Sequence, residues 1–299
     1  MRLRVGLISR TFFNVPVWAA IDRGFFSDVG LDIDAAILDS GTAVTAGMRS
    51  GDIKFSLGPP DGVLQDREQN GALRIIAGNT SKLSHFLITQ SRFKRIEDLK
   101  GARIGCLSPD EGTTFVIQDM LARHGLAYPG DYELAIVGGA PTRWKLLQEG
   151  SIDAGLQSIP LSYMAEDAGF SNLAATTDYI PDYQFTTINT DGAWAGQNRE
   201  VAVSFLAALS RATRWVFDHS DGCAEIAARE MNISHAYGLR AWEDFTGRGI
   251  MPEDMTISDA GIATVARLMA RGGMLGGAAA SDPGPAIDRS YLEQARNVT

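Results

Sequence analysis

The sequence lacks the features of a disulfide scaffold, a zinc site or a membrane-embedded protein. Only two cysteines, Cys106 and Cys223, occur among 299 residues, which is too few for a disulfide framework. The four histidines show no HxxxH spacing and the cysteines form no CxxC motif. No apolar run approaches the roughly 18 residues that a membrane-spanning helix needs. We therefore expect no metal, no disulfides and no transmembrane segment.

Positive charge is also in short supply. Lys and Arg together number 27 against 36 Asp and Glu, which gives a net charge of −9. This balance removes the electrostatic basis for nonspecific binding to nucleic acid, so no nucleic-acid partner is expected. The chain begins MRLRVGLIS without an apolar signal-peptide core. The protein is then periplasmic if a signal peptide was trimmed, or cytoplasmic if Met1 is the native start.

Motifs for common catalytic chemistry are absent too. The sequence contains no GxSxG nucleophile elbow, no GxxxxGK phosphate loop and no GxGxxG after its first strand. Hydrolase, NTPase and dinucleotide-binding functions therefore lack their best sequence evidence. We assign no catalytic residue and expect no cofactor.

Short apolar segments and helical patterns alternate through the first two thirds of the chain. This alternation predicts parallel sheets with crossover helices. Beyond Asn198, apolar residues recur at i, i+3, i+4 and i+7, so nearly all of the last hundred residues are predicted to be helical. The predicted strands fall in two sets, 4–9, 31–38, 53–58 and 73–78, then 102–108, 132–139, 152–158 and 172–176.

One pattern occurs twice, about a hundred residues apart. ILDSGT, which begins at Ile37, is followed by a helical segment that ends at Gly51, and IVGGAP, from Ile136, is followed by one that ends at Gly150. Each copy continues through an Asp into a short strand and a proline. The repeat predicts two lobes of similar topology, packed side by side.

The loops at the carboxyl ends of the predicted strands are the candidate binding site, because open α/β sheets bind ligands there. Most are rich in Gly, Ser and Thr directly before a helix, where free backbone N–H groups suit a ligand oxygen. Plain helix capping is the simpler explanation of each loop taken alone, and the presence of two facing sets favours a binding site. Phe12 and Phe13 could line a ligand site or anchor a helix to its sheet. The ionisable residues His85, Glu111 and Arg143 could enter a cleft or remain solvated. The candidate ligand-binding residues are Thr11, Phe12, Phe13, Asn14, Ser40, Gly41, Thr42, Gly58, Pro59, Asn79, His85, Ser108, Glu111, Gly112, Thr113, Thr114, Gly139, Arg143 and Ser158.

Several segments resemble a known family. AAIDRGFFSDVGLDID, residues 19–34, is similar to the AxxxGFFxxxGLDVE signature of type II periplasmic solute-binding proteins of the sulfonate, taurine, nitrate and thiamine-pyrimidine group. SGT at Ser40, MRSGDIKF, IEDLKGARIGC, EGSIDAGL and AEDAGFSNL follow in the order of that family. The resemblance covers most of the chain through Asp218.

This resemblance implies an α/β fold of two Rossmann-like lobes that close on a ligand about two crossover strands. The crossovers are expected at 84–91 and 183–190. Lobe one would comprise residues 1–88 and 190–299, with the helical C-terminal region packed on it, and lobe two would comprise residues 89–189.

The function implied is capture of a small organic ligand, anionic or heteroaromatic, for the permease of an ABC importer. Arg143 would favour a carboxylate or sulfonate and Glu111 an amine or ring N–H, and the sequence does not choose between them. The alternative is a cytosolic lyase, decarboxylase or biosynthetic enzyme, since the same fold also serves intracellular enzymes. The Cys-rich motif of the yeast-type pyrimidine synthase is absent, which counts against that enzyme.

Overall fold

The computed structural model describes residues 1–298, without the side chains of residues 278 and 279, and contains two five-stranded sheets. The first sheet has the order β2-β1-β3-β10-β4 and the second the order β7-β6-β8-β5-β9. The strands of the first are β1 Arg2–Leu7, β2 Asp32–Ile37, β3 Phe55–Gly58, β4 Leu73–Thr80 and β10 Thr186–Asp191. Those of the second are β5 His85–Thr89, β6 Arg103–Cys106, β7 Glu133–Ile136, β8 Ala154–Ser158 and β9 Ser171–Ala175.

The two sheets share one pairing scheme. In the first, β1 runs parallel to β2 and β3, and β10 runs antiparallel to β3 and β4. In the second, β6 runs parallel to β7 and β8, and β5 runs antiparallel to β8 and β9. Each sheet thus receives one antiparallel strand from the chain as it crosses between lobes, which is the two-lobed α/β fold predicted from the sequence.

The crossover points differ by a few residues from the predicted ones. All of β5 pairs within the second sheet, from His85 opposite Ser158 to Thr89 opposite Ala154. The chain therefore crosses at 81–84, not after residue 88, and it returns at 176–185, before β10 joins the first sheet. A short buried strand carries no local mark of the sheet it will join, because its partner β8 lies about 70 residues further along.

The helices lie between the strands and then fill the C-terminal region. The first lobe carries α1 Val15–Asp22, α2 Phe25–Asp28, α3 Gly41–Ser50 and α4 Asp61–Glu68. The second carries α5 Gly112–Ala122, α6 Ala140–Gln148 and α7 Leu161–Asp167. The C-terminal region comprises α8 Gly192–Gln197, α9 Arg199–Asp218, α10 Ser220–Met231, α11 His235–Gly247, α12 Asp259–Arg271, α13 Gly277–Ser281 and α14 Ser290–Arg296.

Local chemistry explains the bounds of α3. The Ser40 hydroxyl accepts a hydrogen bond from the Ala43 N–H at 3.2 Å, which caps the first turn. Gly51, at φ +77°, ends the helix in the left-handed conformation that glycine adopts most readily. Gly150, at φ +70°, follows α6 in the second lobe. The glycines of the sequence repeat therefore mark equivalent helix ends.

The C-terminal helices pack on the first lobe, as predicted, and also reach the second. Phe205 of α9 stacks on Phe55 of β3 with ring centroids 3.9 Å apart. Arg271 of α12 forms an ion pair with Asp119 of α5 in the second lobe, with Nη1 2.8 Å from Oδ1. The helical region is thus shared by the two lobes at its edges. Within residues 1–298, none of these helices combines the length and apolar character needed to cross a lipid bilayer.

Candidate functional site

A cavity of about 400 Å³ lies between the two lobes. The first lobe contributes the start of α3, the end of β3 and the start of α4, and the second contributes the loop from β6 to α5. The volume falls in the range of roughly 300–1,000 Å³ that small-molecule sites occupy. Seven of the predicted site residues line it: Ser40, Gly41, Thr42, Gly58, Pro59, Ser108 and Glu111.

Three more predicted residues lie beside the cavity and shape its second-lobe wall. The Gly112 N–H donates to Asp61 Oδ1 at 2.7 Å, which joins α5 to α4 across the lobes. The Thr113 hydroxyl donates to Glu111 Oε1, and the Thr114 hydroxyl donates to the Ser108 carbonyl at 2.6 Å. The loop after β6 is thus held by its own hydroxyl groups.

After β1, Ile8 lines the cavity, whereas residues 11–14 are buried and do not line it. Phe12 is fully buried, and its ring centroid lies 4.8 Å from that of Phe245 in α11. The short helical turn at 12–14 directs this ring into the core, so Phe12 forms no ligand wall in this structure. Phe13 meets Phe185 edge-on at 5.4 Å, and Thr11 is buried beside it.

Four other predicted residues are buried polar residues outside the cavity lining, called here the buried polar group: Asn14 and Asn79 in the first lobe, and His85 and Ser158 in the second. Asn79 Nδ2 donates to the Phe13 carbonyl at 3.0 Å. His85 lies opposite Ser158 in the pairing of β5 with β8. Among the described residues, no hydrogen-bond partner is found for Asn14 Oδ1, His85 Nδ1 or Ser158 Oγ. Unpartnered buried polar atoms are costly, so a ligand group or water that reached one of these atoms would stabilise it.

Burial sets the protonation state of His85. It lowers the pKa of the imidazole to about 3, and the nearby Arg143 guanidinium adds to the effect. The ring is therefore neutral at physiological pH and can act as a hydrogen-bond donor or acceptor, not as a cation.

Arg143 is directed into the second lobe and does not line the cavity. Its Nε donates to the Leu156 carbonyl at 3.1 Å and its Nη1 to the Gly138 carbonyl at 2.9 Å. The side chain is buried, and its Cδ lies near the backbone of Gly105 and Gly155. Gly139 lies against Ser9 of the first lobe, where an added Cβ would be 3.2 Å from the serine hydroxyl.

Carboxyl groups in the cavity are the part of the site that the sequence analysis largely missed. Asp39, Asp61 and Asp110 line it together with Glu111. Burial raises the pKa of Asp61, although its bond from Gly112 opposes the change. Burial likewise raises the pKa of Glu111 to about 7, against the lowering effects of Thr113 and Arg143. The GPPD segment was the available signal for Asp61, which directly follows the two prolines.

Ser56 and Asn189 also line the cavity, from neighbouring strands of the first sheet. Within residues 1–298 there is no group of three or more His, Cys, Asp or Glu residues able to hold a metal ion. The cavity can therefore offer backbone N–H groups at the start of α3, hydroxyls, amides and carboxylates to a ligand.

Two sheets of this shared order, linked by two crossovers and enclosing a cavity between them, define a type II periplasmic-binding-protein fold. The family model described as "NMT1/THI5 like" matches residues 13–222. The chain belongs to this family. The resemblance drawn from the sequence is thereby confirmed.

Known proteins similar to this chain include binding proteins and an enzyme. "Putative binding protein BAB2_1146" of Brucella abortus (strain 2308) is 27% identical over 241 residues, which are 78% of this chain and 73% of the relative. The periplasmic nitrate-binding protein NrtA of Synechocystis PCC 6803 superposes with a TM-score of 0.84 at 14% identity, covering 99% of this chain and 88% of NrtA.

A ligand-binding component of an ABC-type import system from Staphylococcus aureus, solved with zinc bound, gives a TM-score of 0.81 at 13% identity, with 99% of both chains covered. The desulfurization enzyme DSZB gives 0.71 at 13% identity, again with 99% of both chains covered. The fold is therefore shared by receptors and by at least one enzyme.

Proposed function

We propose that this protein is a solute-binding protein that captures a small organic molecule in the cavity between its lobes. The observation that carries the proposal is the cavity itself, which is walled by both lobes and closed at one side by the Gly112 to Asp61 hydrogen bond. A ligand that contacts both lobes binds most tightly when the lobes are closed, so ligand binding stabilises the closed arrangement.

The predicted residues that line the cavity are the first proposed ligand contacts. Ser40, Gly41 and Thr42 start α3, whose first N–H groups have no acceptor within the helix. Gly58 and Pro59 end β3 and begin the turn into α4, and they would pack against the ligand. The unpartnered atoms of the buried polar group are proposed as further contacts when the lobes are apart.

The two crossover segments are the proposed hinge. In the second of them, Gln184 Nε2 donates to the carbonyls of Thr80 and Thr186 at 3.0 and 2.9 Å. Gln184 Oε1 accepts from the Ser258 N–H at 2.7 Å, which ties the crossover to the C-terminal helices. Such anchoring confines the bending to a few residues, as hinge closure requires.

Delivery to an ABC transporter permease is the proposed role of the bound form. One protein of similar fold is named as a component of an ABC import system and another as periplasmic. These likenesses support the same partner and the same compartment for this chain.

One feature favours the enzyme alternative. A carboxyl with a pKa near 7 in a cavity between two lobes, as at Glu111, is in the range of a general base. The similar fold of DSZB is consistent with an enzyme, but it does not assign the reaction of DSZB to this chain. We therefore keep catalysis as the second candidate, to be decided by the same experiment.

The deciding experiment is an equilibrium titration of the purified protein against a panel of small metabolites, followed by recovery of the ligand. We expect at least one compound to bind with one molecule per chain and to be recovered chemically unchanged. Formation of product from a bound compound would establish the enzyme instead. Failure of every compound to bind would contradict solute capture.

A further inference from the structure

Among the described residues, the lining of the cavity holds four carboxyl groups and one cation. Asp39 and Asp110 lie at its exposed rim, and Asp61 and Glu111 lie deeper. Among the described residues of the lining, the single cation is Arg49. Its Nε lies 2.6 Å from Oδ1 of Asp66, a carboxylate outside the lining, so the charge of Arg49 is already paired.

Asp61 points to the kind of group that would fill the cavity. Its side chain is 9% exposed, and Oδ1 accepts the Gly112 N–H. Oδ2 is buried and has no hydrogen-bond partner among the described residues. A carboxylate is an acceptor only, and leaving one of its oxygens unpaired in a closed site is costly. A ligand N–H group would supply the missing donor.

The turn before Asp61 does not provide donors of its own. Pro59 and Pro60 precede the aspartate, and proline has no backbone N–H. On the far wall, Glu111 can accept a further hydrogen bond beside the one from Thr113. The deep part of the cavity therefore offers carboxyl acceptors beside the first N–H groups of α4, and the N–H groups at the start of α3 offer donors at the other end of the cavity.

We propose that the cavity selects a ligand with a protonated amine, an amidine or a ring N–H group, which binds against Asp61 and Glu111. This inference rests on the proposed function and names the ligand class of that same site. It separates this chain from anion receptors such as the nitrate-binding protein of similar fold, since nitrate would face two carboxyl groups in a lining whose one cation, Arg49, is already paired. Any hydrogen-bond acceptor group of the ligand would lie towards the start of α3.

Four benzene derivatives of nearly equal size test the charge preference without knowledge of the natural ligand. Benzamidinium is a cation with N–H donors, benzamide is its neutral counterpart, and benzoate and benzenesulfonate are anions. Calorimetric titration of the full chain should show benzamidinium binding at least tenfold more tightly than either anion. That preference corresponds to about 1.4 kcal/mol.

Matched variants locate the effect. Asp61→Asn keeps an oxygen for the Gly112 N–H, and Glu111→Gln keeps the shape of its side chain, so both remove charge with little change in volume. Each variant should bind benzamidinium at least threefold more weakly than the wild type does. The affinity of each for benzamide should stay within twofold of the wild-type value. Glu133→Gln, at a carboxylate 65% exposed on β7, makes the same charge change outside the cavity and should change neither affinity.

The inference is overturned if either anion binds as tightly as benzamidinium, or if benzamidinium fails to bind in the millimolar range. It is also overturned if both cavity variants leave the benzamidinium affinity unchanged. Should Asp61→Asn fail to fold, as judged by circular dichroism, Glu111→Gln alone decides the question. Solute capture itself is judged by the metabolite panel, so a charge preference for anions would refute the ligand class and leave the proposed function standing.

Discussion

The substitution Glu111→Gln tests whether a carboxyl group at the cavity destabilises the unliganded protein. Burial raises the pKa of Glu111 from its ordinary 4.5 to about 7. Between these values the folded chain holds a proton that the unfolded chain has released. The protonated form therefore contributes stability below pH 4.5, and this contribution is lost as the pH rises through 7.

The size of the effect follows from the two pKa values. The gap between 4.5 and about 7 corresponds to about 3.5 kcal/mol at roughly 1.4 kcal/mol per pKa unit. Glu111 is partly exposed to the cavity, so solvent screening reduces this figure, and we expect about 1–2 kcal/mol. Gln cannot titrate, so the variant should lack this part of the pH dependence.

The assay is urea unfolding at a series of pH values from 5 to 8, followed by tryptophan fluorescence. The unfolding free energy of the wild type should fall by about 1–2 kcal/mol relative to that of Glu111→Gln over this range. Glu133→Gln controls for the change in net charge. Parallel pH profiles for the wild type and Glu111→Gln would refute the reasoning.

Two further substitutions test closure of the lobes. In Gly112→Ala, the new Cβ would lie 2.2 Å from Tyr183 Oη and 2.9 Å from Asp61 Oδ1, so the lobes must separate or the core must shift. We expect at least a tenfold loss of affinity for any compound that the panel identifies, measured by calorimetry. An affinity equal to that of the wild type would show that the close contact of Gly112 with Asp61 is not needed for closure. Tyr237→Phe removes the hydrogen bond from α11 to Asp167 of the second lobe, 2.7 Å long, and should weaken the same ligand by two- to tenfold. An unchanged calorimetric affinity would assign that contact no part in closure.

The two-lobed fold was predictable because its signals are local. β2 ends at Ile37 and β7 ends at Ile136, which are the first residues of the two repeated segments. The helices that follow are α3 and α6. Gly51 and Gly150 end these helices with positive φ, a requirement that the sequence displays directly. Repetition of local signals was enough to give two sheets of similar topology.

The lobe boundary and part of the site depend on distant partners, which the sequence does not display. β5 joins the second sheet because it pairs with β8 and β9, and an apolar strand has no mark that names its neighbours. Phe12 packs on Phe245, more than two hundred residues away, so its place in the core could not be distinguished from a cavity wall. Asp61 carries no distinguishing mark either, since an Asp at the start of a helix is commonly a capping residue.

The most direct test of solute capture is native mass spectrometry of the gently purified protein, followed by denaturation and identification of the released compound. We expect one small molecule per chain, whose mass is the same before and after prolonged incubation with fresh protein. Steady conversion of that compound into a product of different mass would contradict solute capture.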